Sequence, residues 1–199
     1  IKIMADQYPY NASHTGINVL IPTWARAGGR KEFEKRVSNK ITKEKIKKEI
    51  EFNILNDRGG NDLNRVQFSR VAWKPELEGK TLKDWALVRG IEPSIKNGAE
   101  LVIEAELNGG ASCIFHAMDE SDVENIMKYP HTMIASDGRL SEPGVGHPHP
   151  RAYGTFPRVL GRYVRENKVI SMSEAIYKMT YLPAKSLSLI HISEPTRPY

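Results

Sequence analysis

Apolar positions recur along this chain in two rhythms, one of strands and one of helices, and the switches between them mark its elements. Residues 1–4 open in a short apolar stretch that ends at Asp6 and a Tyr8-Pro9-Tyr10 turn, which predicts a strand starting at the first residue and hence a truncated left end. Residues 17–21 form a second apolar run before Pro22, and Gly28-Gly29 then breaks the chain. Ile41, Ile46, Ile50 and Ile54 follow at near-helical spacing inside a charged stretch that ends near Asp57-Arg58-Gly59-Gly60. Residues 66–73 alternate in part and are rich in strand formers. Thr81 with Asp84 three residues on predicts a capping box opening a short helix that reaches Gly90. Residues 92–107, with Ile95, Ala99, Val102 and Ile103, predict a helix closed by Gly109-Gly110.

The second half is easier to read. Residues 112–116 form a compact strand, and Asp119-Glu120-Ser121-Asp122 cap a helix with Val123, Ile126 and Met127 inward, ended by Pro130. Residues 132–135 are a buried strand running directly into Ser136-Asp137-Gly138. Strand, helix and strand in that order predict a parallel α/β sheet, in which functional groups collect where strands end. A long loop rich in Gly, Pro and His follows over 139–153, then helices over 156–166 and 171–179, the latter opened by a Ser171/Glu174 capping box.

Composition narrows the class. The 199 residues are 40% hydrophobic and 27% charged, enough for one domain of about 150 residues with extras, and wholesale disorder is excluded. No run approaches the roughly 18 apolar residues of a membrane span, and the start has no secretory pattern, so a soluble cytoplasmic chain without a membrane partner is expected. Cys113 is the only cysteine, which excludes an intrachain disulfide and suits a reducing compartment. The net charge of +5 resides in residues 30–49, with nine basic and four acidic residues, while the rest balances. With isoleucines at helical spacing and no aromatic platform, this segment reads as a solvated helix face before it reads as a nucleic-acid footprint.

Four clusters could carry chemistry, each with a structural reading beside it. Asp137, between an apolar strand and a glycine, suits a metal ligand or general base at a barrel mouth, or equally a turn aspartate. His147-Pro148-His149-Pro150-Arg151 offers two imidazoles that could chelate a metal or line a stiff substrate-facing loop, and Arg151 a guanidinium fork for a carboxylate. Residues 8–15 are dense in hydroxyls and could line a pocket or satisfy their own turn, and His116 reads as a packed strand-end histidine. No phosphate-binding glycine loop and no nucleophile elbow occur.

Taken together, these residues resemble a known family. Asp6-Gln7-Tyr8-Pro9-Tyr10 with Ala12-Ser13, Met133-Ile134-Ala135-Ser136-Asp137-Gly138, the highly specific stretch from His149-Pro150-Arg151-Ala152-Tyr153-Gly154-Thr155-Phe156-Pro157-Arg158 to Gly161, and Glu174-Ala175-Ile176 with Lys178-Met179-Thr180 occur here in order. They resemble the N-acyl-D-amino-acid deacylases (D-aminoacylases) of the amidohydrolase superfamily over nearly all of residues 1–185. The resemblance implies an α/β fold, the C-terminal part of a (β/α)8 barrel, with a zinc site at its mouth and a small β domain built from the chain ends. Most zinc ligands are expected upstream of residue 1. Asp137 matches the aspartate of the last barrel strand, which contacts the metal and its water; Arg151 matches the arginine for the substrate carboxylate, and Tyr8 a tyrosine of the pocket. His14 stands where the family commonly has serine, and Cys113 matches no ligand. The expected partner is a small N-acyl-D-amino acid rather than nucleic acid, and the chain alone is expected to be inactive. Alternatives are another amidohydrolase, dihydroorotase-like or directed at N-acyl-D-glutamate, or a non-catalytic module using segment 30–49. From about Ser186 the sequence resembles a translated sequencing-library adapter of the kind found in metagenomic reading frames, so residues 186–199 are expected to be non-native.

Overall fold

The computed structural model describes residues 3–189. In chain order its elements are β1 (Ala5–Gln7), β2 (Ser13–Gly16), α1 (Thr23–Arg26), α2 (Arg30–Ser38), α3 (Lys40–Asn56), β3 (Val66–Arg70), α4 (Leu82–Val88), α5 (Ile95–Leu107), β4 (Ser112–Phe115), α6 (Glu120–Lys128), β5 (Thr132–Ile134), α7 (Arg151–Arg158), α8 (Met172–Met179) and α9 (Tyr181–Ser186). They form two compact units. Among the described residues, one comprises 3–11, 119–141 and 150–189, the other 12–118 and 142–149. The second unit therefore interrupts the first twice along the chain.

The first unit holds the parallel pair. β1 pairs with β5 in the register Ala5↔Thr132, Asp6↔Met133 and Gln7↔Ile134, and the Ala135 amide extends the ladder by donating to the Gln7 carbonyl at 2.9 Å. The expected parallel arrangement thus exists, but its members differ from the expected ones. β4 and β5, flanking α6 in sequence, lie in different sheets, so they do not make the predicted strand-helix-strand unit. The first strand also begins at Ala5 rather than residue 1, and residues 1–2 lie outside the described ones. α6 is capped by Asp119, whose carboxylate accepts from the Ser121 amide at 2.7 Å. Val123 and Met127 are buried as their four-residue spacing requires, but Ile126, on the flank of that stripe, is 48% exposed. Val123, Met127 and Ile134 pack with Val159, Tyr163, Ile170 and Ala175. Burying each large aliphatic side chain of that cluster is worth about 1.5–3 kcal/mol.

α7 begins at Arg151, five residues before the expected start, with Pro150 before it. Pro157 sits inside it and removes the N–H that would close a turn; beyond it the backbone continues with the wider π spacing over Val159–Glu166. Ser171 and Glu174 form the expected capping box of α8. α9, not foreseen, ends where Leu189 donates its amide to the Ala184 carbonyl at 2.7 Å with Ser188 in the left-handed region. Of the expected non-native tail, residues 190–199 lie outside the described ones.

The second unit is mixed helix and antiparallel sheet in the strand order β2-β4-β3, with Ser13 and Val66 both opposite Phe115. Ser13–Gly16, overlapping the end of the hydroxyl-rich stretch 8–15, form its edge strand β2. The charged helical stretch is two helices divided at Asn39, whose side chain caps α3 by accepting from the Thr42 amide at 3.0 Å. Ile46, Ile50 and Ile54 are fully buried with Ala99, Val102 and Ile103 of α5, and Phe68 and Trp85 meet edge to face at 5.7 Å. The charged residues of segment 30–49 are indeed largely solvated, with one buried exception: Lys47 is 4% exposed and pairs with Glu100 at 2.7 Å, which Lys43 also meets at 2.8 Å. Gly59 is required by contact, since a Cβ there would collide with the backbone of Ile54. Among the described residues no helix is long and apolar enough to cross a membrane.

Candidate active site

Three sequence-predicted residues meet at the end of β5. The strand leads into Ser136-Asp137-Gly138, and each of the three has a separate geometric duty. The Ser136 hydroxyl accepts the Gly138 amide at 3.2 Å, closing a tight turn. Asp137 is held at φ 45°, a left-handed conformation uncommon for a residue with a Cβ, which places its carboxylate beyond the strand end. Gly138 admits the start of α7, because a Cβ there would lie 3.1 Å from the Arg151 carbonyl oxygen and 3.2 Å from the Ala152 Cα.

Arg151 is consequently the first residue of α7, 7% exposed, with its Nη2 2.8 Å from Asp137 Oδ2. Its guanidinium carbon lies 4.6 Å from the centroid of the Tyr8 ring, which fixes the plane of the fork from below. The Asp137 side chain is 70% exposed, so one end of the ion pair is sunk in protein and the other faces solvent. The arrangement presents a positioned cation, an accessible carboxylate and an aromatic wall.

The sequence reading missed what holds this trio in place. Arg158, seven residues and two helical turns after Arg151, donates from Nε to the Pro9 carbonyl at 2.7 Å and lies 4.7 Å over the Tyr10 ring. Gly154 lets the Tyr10 hydroxyl approach where a Cβ would be 2.7 Å from it. The Tyr163 hydroxyl donates to Glu120 at 2.6 Å, and burial together with that carboxylate pushes its pKa up to about 12. Tyr8-Pro9-Tyr10 and the helical Arg-x6-Arg spacing are thus two halves of one lock; paired arginines at that interval facing paired tyrosines were the available signal.

The remaining candidates do not join this trio. The His147 ring packs over Gly79, and its backbone is tied to Ser69 by an amide-to-carbonyl bond of 2.9 Å and by the Ser69 hydroxyl at 2.7 Å. His149 is 2% exposed, bonds through Nε2 to the Ala12 carbonyl at 3.0 Å and stacks with His14 at 6.4 Å between ring centroids. The two imidazoles, with Pro148 between them, sit in different surroundings, so His147 and His149 do not form a chelating pair, and His149 is a buried anchor rather than a substrate-facing group. His116 follows β4 directly but is exposed rather than packed: its Nε2 lies 3.1 Å from Gln67 Oε1, and partial burial with nearby Arg65 holds its pKa below the usual value. Cys113 is fully buried in β4, and that burial pushes its thiol pKa strongly up, which makes it unreactive. Among the described residues no group of three or more His, Cys, Asp or Glu could hold a metal ion. Asp137 supplies one carboxylate, with one oxygen already on Arg151. The described residues do not make a metal centre by themselves.

No protein-family model matches the chain. Curated relatives do. The chain is 38% identical to the N-acyl-D-glutamate deacylase of Alcaligenes xylosoxydans xylosoxydans over 129 residues, covering 63% of this chain and 24% of that protein. It is 41% identical to the D-aminoacylase of the same organism over 115 residues, covering 58% and 22%, and 44% identical to its N-acyl-D-aspartate deacylase over 125 residues, covering 58% and 24%. Among solved structures, the N-acyl-D-glutamate deacylase of Bordetella bronchiseptica, crystallised with zinc and a phosphonate inhibitor mimicking the tetrahedral intermediate, superposes with a TM-score of 0.60 at 28% identity, over 94% of this chain and 29% of that one. A D-aminoacylase described as defining a novel subset of amidohydrolases gives 0.60 at 29% identity, with the same coverage. The resemblance read from the sequence therefore holds, and the chain spans about a quarter of the length of the relatives it matches.

Proposed function

We propose that this chain is the C-terminal portion of a zinc-dependent amidohydrolase that cleaves the amide bond of N-acyl-D-amino acids, the remaining barrel strands and metal ligands lying outside residues 1–199. The observation that carries the reading is the Asp137, Arg151 and Tyr8 cluster at the end of a parallel strand, where α/β folds place their chemistry. Two curated relatives are named for N-acyl-D-glutamate and N-acyl-D-aspartate and the third is a D-aminoacylase, which supports that substrate class without selecting a member.

In this reading Asp137 uses the oxygen that does not face Arg151. It accepts a proton from the attacking water as the water oxygen bonds to the amide carbon, and returns that proton to the nitrogen as the C–N bond breaks, so a carboxylic acid and an amine leave and the carboxylate is restored. Arg151, buried and stacked on Tyr8, carries a planar guanidinium whose fork matches a carboxylate with two parallel hydrogen bonds, and its role in this reading is to hold the substrate carboxylate beside Asp137. Residues 1–185 are proposed to be this barrel portion and 186–199 non-native sequence, whose removal leaves the thermal midpoint unchanged; a fall of several degrees would make them part of the fold.

The test of the carboxylate role is Arg151→Lys in an active, N-terminally completed enzyme, assayed with an N-acetyl-D-amino acid and with the corresponding amide. Lysine keeps the charge but not the fork, so the acid substrate should lose about ten-fold or more in kcat/KM and the amide little. Equal losses for both substrates would remove Arg151 from carboxylate recognition.

A further inference from the structure

The second unit carries a groove that the hydrolase reading does not use. Two cavities, about 350 and 360 Å³, share a wall formed by Asn18, Glu106 and Gly109. Arg26 and Arg30 line the second of them, and Arg70 the first. The polar groups facing this space are left incomplete by the protein. Arg26 Nε is buried and has no hydrogen-bond partner among the described residues, a state that native structures rarely leave uncompensated. The Glu106 carboxylate has no hydrogen bond or ion pair with the described residues. Burial raises its carboxyl pKa above the ordinary value even though Arg26 and Arg30 pull the other way. Arg26 and Glu106 thus feel each other across the groove without closing an ion pair. Arg30 is occupied at its edges by Glu34 at 2.8 Å and the Leu107 carbonyl at 2.5 Å, and Arg70, with no ion pair among the described residues, adds positive potential.

An arginine and a glutamate that line one groove, with no salt bridge between them, are complementary to a molecule that carries both an acceptor anion and a donor cation. A simple anion would satisfy Arg26 but would be repelled by Glu106. We propose that this groove binds a free amino acid, its carboxylate on Arg26 and its ammonium on Glu106. The groove lies within residues 16–112, and the proposal stands independently of the hydrolase reading.

The test is isothermal titration of the 199-residue chain with alanine, N-acetylalanine, alaninamide and inorganic phosphate. Alanine should bind at one site per chain. N-acetylalanine, which lacks the cation, and alaninamide, which lacks the anion, should each bind about ten-fold or more weakly, because each removes one charged hydrogen-bonding partner. Arg26→Gln and Glu106→Gln should each weaken alanine by a similar factor with the circular dichroism unchanged. If Arg26→Gln does not fold, Glu106→Gln and the ligand panel decide. Absent alanine binding, equal binding of alanine and N-acetylalanine, or insensitivity to Glu106→Gln would overturn the proposal. Phosphate binding as tightly as alanine would reduce the groove to an anion site and overturn it as well.

Discussion

Buried charge in this protein is placed where backbone groups need it. Lys178, near the C-terminal end of α8 and 4% exposed, donates to the Tyr129 carbonyl at 2.5 Å and the Thr132 carbonyl at 3.1 Å, so it ties the end of α6 to the start of β5. Burial lowers its pKa, and the two carbonyls compensate for desolvating the ammonium. Lys178→Ala should destabilise the chain by about 1–3 kcal/mol in urea unfolding, because it removes the ammonium from the Thr132 carbonyl and leaves the Tyr129 carbonyl with only the Thr132 amide; a loss below about 0.5 kcal/mol would mean that water replaces the ammonium freely. At the same scale, Asp137 and Arg151 stand out in the sequence as candidates because a strand followed by Ser-Asp-Gly, and a histidine-proline-arginine stretch, are short patterns. Their ion pair does not, since it depends on Gly138 allowing α7 to approach, a contact between segments that the loop separates.

Elements were readable wherever the deciding interactions are local. Asp119, Thr81 with Asp84, and Ser171 with Glu174 each bond to an amide two or three residues on, and all three start helices where the sequence places them. Pairing was not readable. β5 finds its partner in β1, more than a hundred residues upstream, and β4 turns to β2 and β3, because register is decided by non-local burial and not by sequence order. The division of α2 from α3 was hidden for a different reason: Asn39 caps without any proline or glycine to announce it. The α3–α5 contact makes a pH prediction. Burial alone would raise the Glu100 pKa, but Lys43 and Lys47 outweigh it and hold the carboxyl below its ordinary 4.5. A folded value below the unfolded one means that this stability is present above about pH 4.5 and is lost as pH falls through the folded pKa. Glu100 is 38% exposed, so the contribution is less than about 1 kcal/mol. Glu100→Gln should therefore be less stable than the native chain at pH 7 and converge with it below about pH 3; a constant difference across that range would contradict the pairing account.

At the scale of the molecule, the chain divides its labour between a unit that holds the parallel pair and the Asp137 cluster and a unit of helices on an antiparallel sheet, inserted between β1 and α6. A reading that expected one barrel-like sheet saw the first unit's grammar and extended it over strands that belong to the second. The first unit supplies a carboxylate, a guanidinium and an aromatic wall, but no cluster of metal ligands among the described residues. The account therefore requires the chain to act only when completed. The most direct measurement joins residues 1–185 to the preceding portion of the similar Alcaligenes D-aminoacylase and follows amine release from N-acetyl-D-amino acids with zinc supplied. The account predicts hydrolysis by the fusion, none by the 199-residue chain alone, and a loss of about 100-fold or more on Asp137→Asn in the fusion, since the amide cannot carry the proton. Turnover by the isolated chain, or a folded and zinc-loaded fusion whose activity survives Asp137→Asn, would contradict it.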